Sequence, residues 1–202
     1  MIHSSRRSAG DPAPGSSADD VPEADPVEVA RSICLQQLTM GPRTRGQLET
    51  VLRRRDVDPE VASLVLDRLE AVSLVDDAAF AETFVQSRRA GGLSRRALGH
   101  ELRAKGVPGQ VVEEAIEALD PADELTSARA LVARRLPSTR RLEVEVRTRR
   151  LVGMLARKGY PSGMAMRVVR EALAAERELD SLESRFLDGL DVDLSDAARL
   201  GE

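Results

Sequence analysis

Residues 98–107 read LGHELRAKGV, and the same order of residue types returns at 48–57 as LETVLRRRDV and at 151–160 as LVGMLARKGY. In each stretch two leucines stand four apart: Leu48 and Leu52, Leu98 and Leu102, Leu151 and Leu155. On a helix each pair shares one face. Four residues further comes Asp56, Gly106 or Gly159, residue types that accept the positive φ of a helix end, and then an apolar residue, Val57, Val107 or Tyr160. Fourteen positions after the second leucine an apolar residue returns again, as Leu66, Ile116 and Val169. The pattern predicts a helix, a tight break and a second helix packed on the first. The copies lie 50 and 53 residues apart, which leaves room for one more helix in each unit.

Outward from these stretches, apolar residues keep three- and four-residue spacing from Val27 to Ala174, and helix starts are marked by capping residues. Asp25-Pro26, Thr44 with Gln47, Asp58-Pro59-Glu60, Ser94, Pro108 and Asp120-Pro121 are such marks. Nine helices are expected, at 27–39, 44–55, 59–73, 77–90, 94–105, 108–119, 121–135, 142–158 and 162–174. The fold class that follows is all-α: three tandem three-helix repeats, at 27–75, 76–120 and 121–174, stacked into an elongated curved modular body. Residues 1–26, rich in Ser, Gly, Pro, Ala and Asp without periodicity, read as a disordered arm. Residues 175–202 read as an acidic tail outside the repeats. It is either a solubilising extension of the last helix or an acidic mimic of nucleic acid competing for the chain's own basic surface.

Composition fits this reading. Of 202 residues 42% are hydrophobic but only 2% aromatic, so the cores must be built from Leu, Val, Ala and Ile, which suits helix-on-helix packing. One cysteine, Cys34, excludes an intrachain disulfide and points to a reducing, cytoplasmic compartment. No stretch is apolar enough to span a membrane. The net charge of -4 hides an uneven distribution. Residues 1–26 carry 2 Arg against 5 acids, residues 27–174 carry 25 Lys and Arg against 20 acids, and residues 175–202 carry 3 Arg against 9 acids. A basic body between acidic ends fits a polyanionic partner, or a solvated helical surface.

Catalytic and metal chemistry find no support. His3 and His100 have no second ligand at a useful spacing, and no phosphate loop or nucleophile elbow is present. Asp76 and Asp77 are adjacent and diverge on a helix, so Asp76 is expected to cap and Asp77 to favour the helix start, with Phe80 and Phe84 in the core. No catalytic residue, metal ligand or cofactor is expected. What remains is arginine in pairs. Arg88, Arg89, Arg95, Arg96, Arg103, Lys105, Arg134, Arg135, Arg140, Arg141, Arg149, Arg150, Arg157 and Lys158 are the candidate contacts. Guanidinium suits phosphate and carboxylate, and stacking of repeats would gather these residues into a basic stripe. The pair of helices within 93–119 also permits a helix-turn-helix reading, which would make the chain a DNA-binding transcription regulator.

Three such repeats, joined to Val75-Asp76-Asp77, Phe80-Ala81, Phe84-Val85, Arg88, Gly92, Arg96, Leu98, Glu101-Leu102 and Lys105-Gly106-Val107, resemble the RecX family over residues 27–174. Asp56, where repeats two and three carry glycine, departs from the family pattern, as does the acidic tail. The resemblance implies a crescent-shaped, cofactor-free monomer that docks in the groove of the RecA–DNA filament. It would lower recombinase, ATPase and coprotease activities and so regulate homologous recombination and the SOS response. The basic residues named above would supply the contact, with weak non-specific binding of single- or double-stranded DNA and no role for a membrane.

Overall fold

The computed structural model describes residues 25–199, with side-chain surroundings as far as Phe186, so the expected disordered arm lies outside the described residues except for Asp25 and Pro26. All described regular structure is helical: α1 (Pro26–Thr39), α2 (Arg45–Arg54), α3 (Pro59–Ala71), α4 (Asp77–Ala90), α5 (Arg95–Ala104), α6 (Gly109–Glu117), α7 (Pro121–Arg135), α8 (Val144–Arg157) and α9 (Ser162–Arg199). The starts follow their capping chemistry. Asp25, Asp58, Asp76, Ser94 and Asp120 each accept backbone N–H groups with a side-chain oxygen, and Thr44 and Gln47 close a reciprocal capping box.

The helices pack in threes around three separate cores. Leu48 and Leu52 of α2, Leu98 and Leu102 of α5, and Leu151 and Leu155 of α8 are all buried, one pair in each core. The first helix of each trio adds a second repeated pair four apart: Ala30 and Cys34, Ala81 and Val85, Ala128 and Val132. Burying each large aliphatic side chain contributes about 2 kcal/mol. Every second helix ends in the same closure, in which the N–H of Val57, Val107 or Tyr160 donates to the carbonyl of Leu52, Leu102 or Leu155 at 3.1–3.2 Å. The residue between takes positive φ: Asp56 at 56°, Gly106 at 80° and Gly159 at 89°.

Because the cores are separate, polar joints hold the modules together, and the same register positions form both. At the first joint Thr44 Oγ1 donates to the Lys105 carbonyl at 2.5 Å, and the Arg45 N–H donates to Asp77 Oδ1 at 2.9 Å. At the second, the Ser94 N–H donates to the Lys158 carbonyl at 3.0 Å, and the Arg95 N–H to Glu124 Oε1 at 3.0 Å. Modules one and two thus each offer donors at the start of their second helix, a hydroxyl and an N–H in the first and two N–H groups in the second, and the next module supplies a turn carbonyl and a carboxylate to accept from them. The approach leaves no room for a side chain. A Cβ on Gly106 would lie 2.9 Å from Gly46 Cα, and one on Gly159 would lie 2.6 Å from Ala97 Cβ and Ser94 Oγ. Asp56 is free of this constraint because its turn docks on no preceding module among the described residues, and Asp accepts the left-handed conformation.

Several expectations are corrected. Helix α3 stops at Ala71 instead of 73, since Ser73 turns to φ 56°. Helix α8 begins at Val144, not 142, because Pro137–Thr139 forms a 3-10 turn ahead of it. Phe80 and Phe84 are only half-buried at the margin of the second core, whose buried α4 members are Ala81 and Val85. Helix α9 runs past residue 174 without a break, and Glu176, assigned to the tail, is 7% exposed and held by Arg140 and Arg147. Burial alone would raise the Glu176 carboxyl; the hydrogen bonds and charges of Arg140 and Arg147 overcome it and hold the group below its ordinary value.

Two tests follow from this packing. Gly106→Ala combines a positive φ with a contact against immovable backbone, so urea unfolding should show a loss of about 2–4 kcal/mol, whereas Asp56→Gly should stay within about 1 kcal/mol of the parent. Glu176 has a depressed folded pKa, so its contribution is present above the unfolded carboxylate pKa and is lost as pH falls through the folded one. Glu176→Gln should therefore destabilise by about 3 kcal/mol at neutral pH, and the gap between variant and parent should close on acidification in thermal melts.

Candidate polyanion-binding cleft

The fourteen basic residues singled out from the sequence divide into two groups. Seven are engaged inside the molecule. Arg88 pairs with Glu101 at 3.2 Å, Arg89 with Asp123 at 2.8 Å and Arg140 with Glu176 at 2.8 Å. Arg95 donates to the Ile116 carbonyl at 2.9 Å, Arg96 to the Gly159 carbonyl at 3.2 Å and Lys158 to the Gly91 carbonyl at 2.8 Å. Lys105 places its ammonium 5.3 Å from the Phe84 ring centre. The Arg89, Arg96 and Lys158 contacts cross between modules two and three, so part of the expected stripe is joint material.

The other seven are Arg103, Arg134, Arg135, Arg141, Arg149, Arg150 and Arg157, all exposed and in none of the ion pairs found among the described residues. Four of these converge. Arg135, Arg149, Arg150 and Arg157, with Ser138, Thr139, Leu151 and Met154, line an open cleft of about 820 Å³ on module three. Local structure explains the convergence. Arg135 is the last residue of α7, Pro137 opens the 3-10 turn that folds the chain back, and Arg149, Arg150 and Arg157 lie on α8. Residues 150 and 157 are two helical turns apart, about 10 Å along the axis.

The floor of the cleft is fixed by buried bonds. Thr139 is 4% exposed; its hydroxyl donates to the Leu136 carbonyl at 2.7 Å and accepts from Arg147 Nε at 3.2 Å. Arg147 in turn holds Glu176, so that carboxylate is already paired. Four guanidinium groups with no acid partner among the described residues line one cleft, each able to offer paired N–H donors to a phosphate or carboxylate. The sequence reading listed the arginines but missed the hydroxyl residues Ser138 and Thr139, which carry no periodic signal. It also missed the joint acids Asp77 and Glu124, whose equivalence would have appeared on aligning the first helices by Ala81 and Ala128.

Comparison with known proteins places this geometry. Three family descriptions match in order: the first three-helix domain of RecX at residues 30–69, the second at 76–116 and the third at 122–169. A regulatory protein RecX of Streptomyces coelicolor is 54% identical over 158 residues, spanning 78% of this chain and 84% of that one. A regulatory protein RecX of Thermobifida fusca is 56% identical over 164 residues, spanning 81% and 87%. The crystal structure of RecX from Lactobacillus salivarius shares the fold with a TM-score of 0.65 at 19% identity, covering 73% of this chain and 97% of that one. Three matched domains in tandem and identity at more than half of the aligned positions with such relatives make this chain a member of the RecX family of regulatory proteins.

Proposed function

We propose that this protein binds the RecA–DNA filament in the cytoplasm and restrains its recombinase, ATPase and coprotease activities, acting by occupancy and not by catalysis. Family membership and the four-arginine cleft of module three support this reading. A filament presents phosphate and acidic side chains along a helical path, and a row of rigid modules can follow such a path with its cations on one cleft. A bound body then hinders subunit addition or strand access and shifts the population toward the filament state it binds best. Contact with nucleic acid would be through backbone phosphate, because the cleft holds no aromatic ring for base stacking.

The helix-turn-helix alternative is weaker for a physical reason. Its recognition helix would be α6, where Glu113, Glu114 and Glu117 are exposed and no lysine or arginine occurs. Arg95 and Arg96, beside that helix pair, bond to carbonyls of their own chain. A helix carrying three carboxylates is repelled by the phosphates that flank a DNA groove.

The test is RecA ATP hydrolysis on single-stranded DNA, with this protein titrated well below the RecA concentration. Inhibition is expected at substoichiometric ratios. Arg149→Glu with Arg150→Glu should require about tenfold more protein for the same effect and lessen the log–log salt slope of polyanion binding by about two. Hydrolysis untouched at equimolar protein and low salt would sink the reading.

A further inference from the structure

A second concave surface lies far along the sequence from the arginine cleft. Between α4 and the loops that lead into α2 and α4 runs an open groove of about 420 Å³. Pro42, Leu74, Ala79, Phe80 and Phe84 give it an apolar lining, and Arg43 stands in its wall. Leu74 is 52% exposed, a large aliphatic side chain left in water beside two phenylalanines.

Three observations say what the groove accepts. First, Arg43 Nε is buried and meets no acceptor among the described residues. A buried N–H donor of a charged group is rarely left unmatched, and an acceptor supplied from outside would complete it. Second, the rim is cationic. The Lys105 ammonium lies 5.3 Å from the Phe84 ring centre and is in no ion pair among the described residues; the Arg88 guanidinium, at 5.4 Å, is paired with Glu101, and the lining carboxylate, Asp76, accepts the Ala79 N–H at 2.8 Å. Third, Phe84 is already engaged by a ring and two cations. Phe80 and Phe84 stack at 6.1 Å with their planes 14° apart, and the two cations sit over Phe84. A nucleobase needs a free ring face; an aliphatic side chain needs only the ring edges and Leu74.

We propose that this groove docks an acidic amphipathic segment of a partner protein, with an aliphatic side chain against Leu74 and the phenylalanine edges and a carboxylate on Arg43 and Lys105. The groove is formed by residues of modules one and two and shares none with the cleft of module three. One molecule therefore carries an apolar, charge-rimmed protein site and a purely cationic site on different modules. Two weak sites on one rigid body reinforce each other when a single assembly offers both ligands.

The chain has three phenylalanines, Phe80, Phe84 and Phe186, so fluorine labelling of phenylalanine in the full-length protein gives one NMR signal in each position. The probe is a short synthetic peptide with leucines at helical spacing flanked by aspartates, beside the same peptide with asparagines. Saturable shifts at Phe80 and Phe84, an unmoved Phe186, and affinity about tenfold weaker for the asparagine peptide are expected. Arg43→Lys, which keeps the charge but removes the Nε donor, should lessen the preference, and Leu74→Ser, at a solvent-facing position, should weaken both peptides alike. Equal binding of the two peptides, or no shift at millimolar concentration, would overturn the proposal. So would shifts produced by oligothymidylate and not by peptide, or free-chain signals that move when residues 1–24 are deleted, which would make the chain's own arm the occupant. No RecA is present in this experiment, so its failure is distinct from failure of the ATPase test.

Discussion

Two backbone contacts with no room for a side chain, Gly106 against Gly46 and Gly159 against Ser94 and Ala97, are what make one body of three small helical cores. Each core is separate, and a module of about fifty residues gives marginal stability by itself. The joint supplies what the cores lack. It brings a positive-φ turn against a helix N-terminus, where the hydroxyl or N–H donors at the helix start donate to a carbonyl and a carboxylate of the next module. Both joints use homologous positions, so the relative setting of modules is repeated instead of being improvised at each step. Asp56 at the first turn carries a Cβ that would fit neither joint.

That economy explains the fate of the arginines. A cation next to a joint is drawn into it: Arg96 and Lys158 reach carbonyls across the second joint, and Arg89 reaches Asp123. Cations on module three that face away from the joint have no such claim on them and stay open to solvent. At the far side of this module Glu176 neutralises Arg147 and part of Arg140, which rigidifies the 3-10 turn without filling the cleft. The acid reserved for that role comes from α9, so the helix after the last repeat is at its start a structural part of module three.

Under the proposed function, restraint of a filament would need grip without chemistry, and the two surfaces would supply grip of different kinds. The cleft offers long-range, salt-sensitive attraction. The groove would add short-range apolar burial and a directional hydrogen bond to its charge pairing. A body that approaches by the first and seats by the second would associate quickly and still choose its partner.

The sequence by itself determined the number of repeats, the helical class and the leucine pairs of the three cores, because helix periodicity and capping are local and each repeat states them again. It also determined the family, since order and spacing survive in a chain of letters. Tertiary structure alone decided which arginines are free. Arg95 and Arg149 look alike in sequence, each the first of an arginine pair in the second helix of its repeat, yet one is bonded to the Ile116 carbonyl and the other lines an open cleft. Likewise Phe80 and Phe84 share the spacing of core residues, but a helix has two flanks, and only packing settles which flank the core takes and which it leaves as a groove. A side chain's charge is written in the sequence; its partner is set by what the fold brings within about 3 Å.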